Sequence, residues 1–157
     1  MSTKYAKGKA LESSVVRANM RYRTSGRALI LYKGTPVTIT KKGCMLEKGP
    51  PDFEGLLKDG RYISFDAKET QSTTSFPLNN LKEHQVNHLK LVDNLGGLGF
   101  FLVHFYNLHE DKAYKIPIDF ILPYWDKWKY ENGRGSIPVK DLKKEWLVDI
   151  DNYLEIE

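Results

Sequence analysis

The segment Tyr62-Ile63-Ser64-Phe65-Asp66-Ala67-Lys68-Glu69 alternates apolar and polar residues. Read as a β-strand, it turns Ile63, Phe65 and Ala67 to a core and puts Tyr62, Ser64, Asp66 and Lys68 on the other face. A carboxylate and an ammonium two residues apart on one strand face can hold a metal ion and a reacting phosphate side by side. Asp/Glu-x-Lys alone is a weak signal, because the chain has it three times, at Asp66, at Glu110 (to Lys112) and at Asp141 (to Lys143). The last two fall in a polar turn and on a surface helix, where a solvated pair is the simpler reading. Only Asp66 lies in an apolar strand, where an unpaired charge is costly.

Hairpin register supplies a second carboxylate. If Lys58-Asp59-Gly60 is a three-residue loop with Gly60 left-handed, Leu57 pairs with Arg61. Counting back sets Gly55 opposite Ile63, Phe53 opposite Phe65, and Asp52 opposite Asp66. Opposed like charges repel and raise one another's pKa, so a fold avoids them unless a cation sits between. A two-residue Asp59-Gly60 turn would set Asp52 opposite Ala67 and break the site. The motif therefore predicts the turn.

Mg²⁺ suits such a pair, since it binds through one or two carboxylates and takes further oxygens from water and a substrate phosphate. Lys68 then orients the attacking water or stabilises developing charge. The plainer alternative is an Asp66–Lys68 ion pair that serves only the strand. Gln85 falls on the inward stripe of a following helix (Leu81, Gln85, Leu89, Val92, Leu95), where an amide needs a partner; it either serves the site or bonds to backbone. His84 and His88 are four apart, but two ligands without a third do not make a zinc site, and solvent-facing histidines are expected. Glu12, beside the apolar seam of the first helix, could reach the same cleft, although a Glu near a helix N-terminus is favourable for dipole reasons alone.

The elements that must position these groups follow from periodicity. Residues 1–7 form a basic, flexible arm. A helix over 8–22 carries the stripe Leu11, Val15, Ala18 and Tyr22, with Arg17 and Arg21 on a neighbouring basic stripe. A strand spans 28–33, then a basic, stalk-like excursion over 35–49 alternates at Val37-Thr38-Ile39-Thr40 and turns at Lys41-Lys42-Gly43. The catalytic hairpin covers 53–57 and 61–69. A polar loop follows at 72–80, then a helix at 81–95 capped by Gly96-Gly97. Strands at 99–106 and 113–118, an aromatic helix at 118–129 and a helix at 139–146 complete the chain. This order describes an α/β (α+β) domain over 1–157, a mixed central sheet flanked by helices.

Net charge is +4, but it is unevenly spread. Residues 1–48 hold 11 basic and 2 acidic side chains, a net +9, and the rest hold 13 basic and 18 acidic, a net −5. A basic N-terminal third suits a polyanion. A single cysteine, Cys44, fits a reducing cytoplasm. Nothing at the start has the apolar core of a secretory signal, and no apolar run is long enough to span a bilayer. Trp125, Trp128 and Trp146 are expected as packing residues, with a dimer contact as the sharper alternative.

The residues also resemble a known family. Gly49-Pro50-Pro51-Asp52-Phe53-Glu54-Gly55, then Ser64-Phe65-Asp66-Ala67-Lys68-Glu69-Thr70, is similar to the PD-(D/E)xK nuclease pattern. Lys68-Glu69-Thr70, Thr74-Ser75-Phe76-Pro77-Leu78, His84-Gln85, Leu31-Tyr32-Lys33-Gly34-Thr35-Pro36 and Gly96-Gly97 before a strand resemble RecU-type Holliday junction resolvases. The likeness runs over about 8–125. It implies a restriction-endonuclease-like core, a homodimer, and symmetric Mg²⁺-dependent cutting of four-way junctions in DNA recombination and repair. Mn²⁺ is the expected substitute, and a recombinase is a candidate partner. It further implies Asp52 and Asp66 as metal ligands, Lys68 as catalytic lysine, and Gln85 and Glu12 as supporting residues. Two departures stand out: the family usually has Glu at the Asp66 position, and its stalk and N-terminal arm are longer.

These readings lead to a structure-selective endodeoxyribonuclease. Phosphate contacts are expected from Lys4, Lys7, Lys9, Arg17, Arg21, Lys41 and Lys42, with Ser72, Thr73, Thr74 and Ser75 bonding the backbone near the cut. The competing readings are a sequence-specific or repair nuclease of the same fold, and a DNA-binding, recombination-modulating module with vestigial cleavage.

Overall fold

The computed structural model describes residues 4–33, 37–46 and 51–155, with side chains described at 10–33, 41–43 and 51–155. The chain opens with helix α1 (Lys4–Thr24), four residues earlier than the apolar stripe alone indicates. Strand β1 (Ala28–Tyr32) and the small hairpin β2 (Val37–Thr40) and β3 (Gly43–Leu46) follow. Next come β4 (Phe53–Leu57), β5 (Tyr62–Thr70) and β6 (Ser75–Pro77), then α2 (Glu83–Asn94). Strands β7 (Leu98–Phe105) and β8 (Lys112–Pro117), helix α3 (Ile118–Tyr130), and strands β9 (Ser136–Pro138) and β10 (Leu147–Asp149) complete it.

The central sheet has the order β1-β4-β5-β7-β8-β10. Only β5 and β7 run parallel; the other neighbours are antiparallel, so the sheet is mixed as expected. The parallel pair needs a crossover, and α2 supplies it. Each sheet face buries its own cluster. On one, Leu11, Val15, Ala18 and Tyr22 of α1 meet Phe53, Phe65, Phe100 and Tyr153. On the other, Val86 and Leu89 of α2 and Ile121 and Trp125 of α3 meet Phe101, Val103 and Phe105.

The first cluster is built around stacked rings on three adjacent strands. Phe53 stacks on Phe65 at 4.9 Å, and Phe65 on Phe100 at 4.6 Å, both nearly parallel. Tyr153 closes on Phe65 at 5.1 Å, and its hydroxyl donates to Asn19 of α1. Tyr22 donates to Asn152 Oδ1 at 2.9 Å and accepts from the Leu154 amide at 3.1 Å. The two ends of the chain are thereby joined over one sheet face.

Three expectations need correction. Residues 139–146 are not an α-helix; they form two single 3-10 turns, at Val139–Asp141 and Lys144–Trp146. The helical spacing of Val139, Leu142 and Trp146 has another cause. Leu142 is buried, Trp146 packs on Phe120 at 4.7 Å, and the chain then extends to add β10 to β8. The loop at 72–80 contains β6, paired with β9 from Phe76 to Ile137; Phe76 is buried and needed a partner strand. Leu95 is 78% exposed, because α2 ends at Asn94 in bonds from Gly96 N to Asp93 O and from Gly97 N to Val92 O. Those two bonds form the expected glycine cap. No helix among the described residues is long and apolar enough to cross a membrane.

The register that matters is as the turn chemistry requires. Gly60 has φ +90°, Leu57 N–H donates to Arg61 O at 2.9 Å, and Phe53 and Gly55 face Phe65 and Ile63. Gly55 has a separate role: a Cβ there would lie 1.8 Å from Leu29 O, so only glycine lets β1 close on β4. Gly55→Ala is therefore expected to lose more stability than the ~1–3 kcal/mol of ordinary overpacking. Gly60→Ala meets nothing within 4 Å and should lose only the ~1–2 kcal/mol of a left-handed residue. Urea unfolding of both variants reads the order; equal losses would show that β1 is not held by that contact.

Candidate active site

Asp66 lies in the middle of β5, with Phe101 beside it on β7. Its neighbours Ile63 and Phe65 are buried in the α1-side cluster, whereas Phe101 belongs to the α2-side cluster. Alternation therefore points Ser64, Asp66 and Lys68 towards the α2 side. Asp66 is 1% exposed, and a carboxylate so deeply placed must be partnered. Lys68 Nζ lies 2.8 Å from Asp66 Oδ2, an ion pair off the hydrogen-bond direction. Asp66 Oδ1 accepts the backbone N–H of Asp52 at 3.2 Å.

Asp52 sits where the hairpin count places it, one residue before the Phe53–Phe65 pair. Its carbonyl accepts the Lys33 amide at 2.5 Å, which ties it to the end of β1. Burial, then a side-chain hydrogen bond and the charge of Asp66, then the charge of Glu12, push the Asp52 carboxyl up to about 8, with Lys68 opposing. Two carboxylates this close cannot both ionise comfortably without a cation. The donor set fits a hard divalent ion: two acidic oxygens side by side, one buried oxygen of Asp66 without a hydrogen bond, and an ammonium alongside. Among the described residues no group of three His, Cys, Asp or Glu converges on one point, so water and substrate would have to complete the shell.

The supporting candidates separate. Glu12 is half-buried on α1, and its charge reaches both Asp52 and Tyr32, which puts it at the mouth of the same centre. Gln85 is buried on α2, the helix packed against β5 and β7. Its Oε1 has no hydrogen-bond partner, so the backbone-bonded alternative does not use that atom. His84 and His88 are half-buried rather than solvent-facing, and His88 Nε2 is buried without a hydrogen bond. The expectation that they face solvent needs correction, because α2 is covered by α3 as well as by the sheet.

Of the expected phosphate contacts, Arg17 and Arg21 are exposed on α1; Arg17 donates to Ser14 Oγ at 3.0 Å, and Arg21 lies 4.0 Å from Asp151. Lys41 and Lys42 are exposed at the tip of the β2–β3 hairpin. The side chains of Lys4, Lys7 and Lys9 lie outside the described residues, as do the first three residues of the arm and parts of the 35–49 excursion. Ser72 Oγ accepts the amides of Thr74 and Ser75 at 3.3 and 3.2 Å, which closes its own loop and leaves its O–H to donate. Thr73 and Thr74 are exposed. Trp125 is buried in the α2-side cluster, beside Trp128 at 5.4 Å; packing accounts for it.

One residue at the site was not anticipated. Tyr32 ends β1 opposite Phe53, with its ring 5.4 Å away and half its surface open. Burial, then the charges of Glu12, Asp52 and Asp66, raise its phenol pKa, so the residue stands within electrostatic reach of the centre. The β1–β4 register would have revealed it, but that pairing joins segments with no short turn between them.

The model of the family described as Recombination protein U matches residues 6–156. Holliday junction resolvase RecU of Bacillus subtilis (strain 168) is 34% identical over 150 residues, covering 88% of this chain and 70% of that protein. The protein of the same description from Bacillus pumilus is 35% identical over 148 residues, covering 87% and 69%. That from Oenococcus oeni is 34% identical over 153 residues, covering 90% and 76%. Among solved structures, Hjc, a Holliday junction resolvase from Archaeoglobus fulgidus, superposes with a TM-score of 0.50 at 11% identity over 92% of this chain and 98% of that one. That likeness is one of fold, the restriction-endonuclease-like arrangement of a mixed sheet between helices. With the model matched along nearly its whole length and these relatives alongside, the chain belongs to the Recombination protein U family.

Proposed function

We propose that this chain resolves four-way DNA junctions by hydrolysing one phosphodiester per site, with Asp52, Asp66 and Lys68 as the reacting centre. The observation that carries the reading is the buried Asp66, held between the Asp52 amide and the Lys68 ammonium, in a chain whose relatives are described as junction resolvases.

Asp52 and Asp66 would hold a Mg²⁺ ion, with Mn²⁺ as substitute. Such an ion supplies Lewis-acid neutralisation of charge on the phosphate and lowers the pKa of a coordinated water. The chain's own groups do the rest. Lys68 keeps its ammonium 2.8 Å from Asp66, where it can stabilise charge gathering on a phosphate oxygen. Gln85 offers a buried amide with an uncommitted oxygen to a water, and Glu12 adds negative charge that favours cation entry. In the reaction, water adds to phosphorus, the bond to a bridging oxygen breaks, and that oxygen leaves with a proton. Arg17, Arg21, Lys41, Lys42 and the 72–75 loop hold the flanking backbone, so binding should weaken steeply with salt.

A junction requires two opposed cuts, which a two-fold dimer supplies. An apolar row supports the dimer: Leu29, Leu56 and Tyr62 are register neighbours on β1, β4 and β5, and all are exposed. Tyr62 continues into Leu91 and Leu95 around a cavity of about 510 Å³. A patch of this kind on one face favours burial against a second copy.

Three outcomes test these statements. On a labelled four-way junction beside matched linear duplex, paired nicks in the junction alone are expected. EDTA should abolish them, and Asp66→Ala should slow them by at least about a hundredfold while junction binding persists. Cutting of both substrates would remove the junction claim, and no cutting with any divalent ion would leave a binding module. The Asp52 shift sets the pH behaviour. A carboxyl whose folded pKa is raised contributes stability below its unfolded value and loses it as pH rises through about 8. The melting temperature in EDTA should therefore fall from pH 5 to 9, less so in Asp52→Asn, and Mg²⁺ should restore more of it at pH 9 than at pH 5. A Mg²⁺ effect independent of pH would contradict the ligand role. Finally, Leu56→Glu with Leu91→Glu should convert a dimer to a folded monomer in sedimentation; an unchanged dimer would move the interface elsewhere.

A further inference from the structure

At the end of the sheet away from Asp66, a second cavity of about 640 Å³ is walled by Arg27, Lys58, Arg61 and Lys115, with Asp59 among them. Arg27 precedes β1, Lys58 and Arg61 flank the β4–β5 turn, and Lys115 lies within β8. Lys115 follows the alternation of Ala113, which is buried on the α1 side, so this cavity opens on the face opposite to the carboxylate pair. Leu57, Leu98 and Leu154 line it as well, and all three pack against the α1-side cluster.

The four cations are not equally engaged. Asp59 accepts the Arg61 amide at 3.0 Å and Nε at 2.9 Å, a closed local pair. Lys115 is half-buried, and Glu155 Oε2 lies 3.8 Å from its Nζ. Among the described residues no ion pair or hydrogen bond engages the side chain of Arg27 or of Lys58. Their backbones are nevertheless fixed together, with the Lys58 amide donating to Arg27 O at 3.1 Å. Burial holds the Lys115 pKa down and Glu155 opposes this, as expected of an ammonium that has given up water and gains from an anion.

We propose that this cavity binds a nucleotide unit, with its phosphate on Arg27, Lys58 and Lys115 and its nucleoside against Leu57, Leu98 and Leu154. Glu155 shows that an oxyanion is accommodated beside Lys115, and its own carboxylate is 61% exposed, so a phosphate can displace it. The tetrahedrally arranged oxygens of a phosphate match cations approaching from different walls better than one planar carboxylate does. The apolar lining adds what inorganic phosphate cannot use. Among the described lining residues Asp59 is the one carboxylate and it is paired with Arg61, so the cavity holds its ligand without cutting it, and it stands independently of the junction-cutting reading. A strand of DNA and a free nucleotide share this chemistry.

The test is a titration of the full-length ¹⁵N-labelled protein in EDTA, following backbone amide signals of residues 58–61, 98 and 154. The probes are a short oligothymidylate, thymidine 5′-monophosphate and inorganic phosphate. Saturable shifts with a nucleotide probe are expected, weakened at least about tenfold in Arg27→Ala/Lys58→Ala and strengthened in Glu155→Gln. Lys58 is exposed and Arg27 half-buried, and unchanged signals elsewhere confirm that each variant is folded. Tighter response to the oligonucleotide assigns a strand of DNA, and tighter response to the monophosphate assigns a free nucleotide. Equal response to inorganic phosphate overturns the nucleotide assignment. Absent shifts, or shifts indifferent to the double substitution, overturn the site. Because no cleavage is read, failure here leaves the nuclease reading untouched, and loss of cleavage elsewhere does not touch this one.

Discussion

An aspartate just before β4 set against one within β5, the latter almost wholly buried, is a liability that the rest of this molecule is arranged to sustain. Asp66 has a backbone amide on one oxygen and an ammonium beside the other. Asp52 keeps its proton to unusually high pH because burial and Asp66 disfavour its charge. Natural sheets avoid opposed like charges, and when one is retained, the surrounding structure has to hold it in place. Here the Phe53–Phe65–Phe100 stack lies on the reverse face of the same strands. The strands cannot slip to relieve the repulsion without unstacking those rings, and a one-residue slip would also expose them.

The support extends to both chain ends. Helix α1 covers the ring stack with Leu11, Val15, Ala18 and Tyr22 and brings Glu12 to the mouth of the centre. The Tyr153–Asn19 and Tyr22–Asn152 bonds fix that helix against the C-terminal segment. On the other face, α2 carries Gln85 inward, while the β7 strand beside β5 gives Asp66 an entirely apolar neighbour, Phe101. The low polarity around the pair makes the Asp52 carboxyl hard to ionise and a cation between the two worth more.

Charge is distributed to match. The exposed arginines of α1 and the lysines at the β2–β3 tip lie in the basic third of the chain. The β4–β5 turn contributes at both ends of its own hairpin: its geometry sets the carboxylate register, and its Lys58 and Arg61 help wall the second cavity. The apolar row of Leu29, Leu56 and Tyr62 runs across one face of β1, β4 and β5.

What the sequence determined by itself is what acts over a few residues. Strand alternation put Asp66 and Lys68 on one face, a glycine after Lys58-Asp59 fixed a three-residue turn, and that turn brought Asp52 opposite Asp66. The helical stripe of α1 and the glycine cap of α2 were legible for the same reason. The tertiary structure decided what depends on contacts between distant segments, such as Tyr22 and Asn152, 130 positions apart. Residues 139–146 have helical spacing, yet they form turns because β8 offers an open edge for β10 and the core takes Leu142 one side chain at a time. Tyr32 comes within electrostatic reach of the carboxylates only once Gly55 lets β1 close on β4. Arg27, Lys58 and Lys115 carry no shared pattern, and a cavity exists among them only because the folded sheet brings the start of β1, the β4–β5 turn and β8 to its walls.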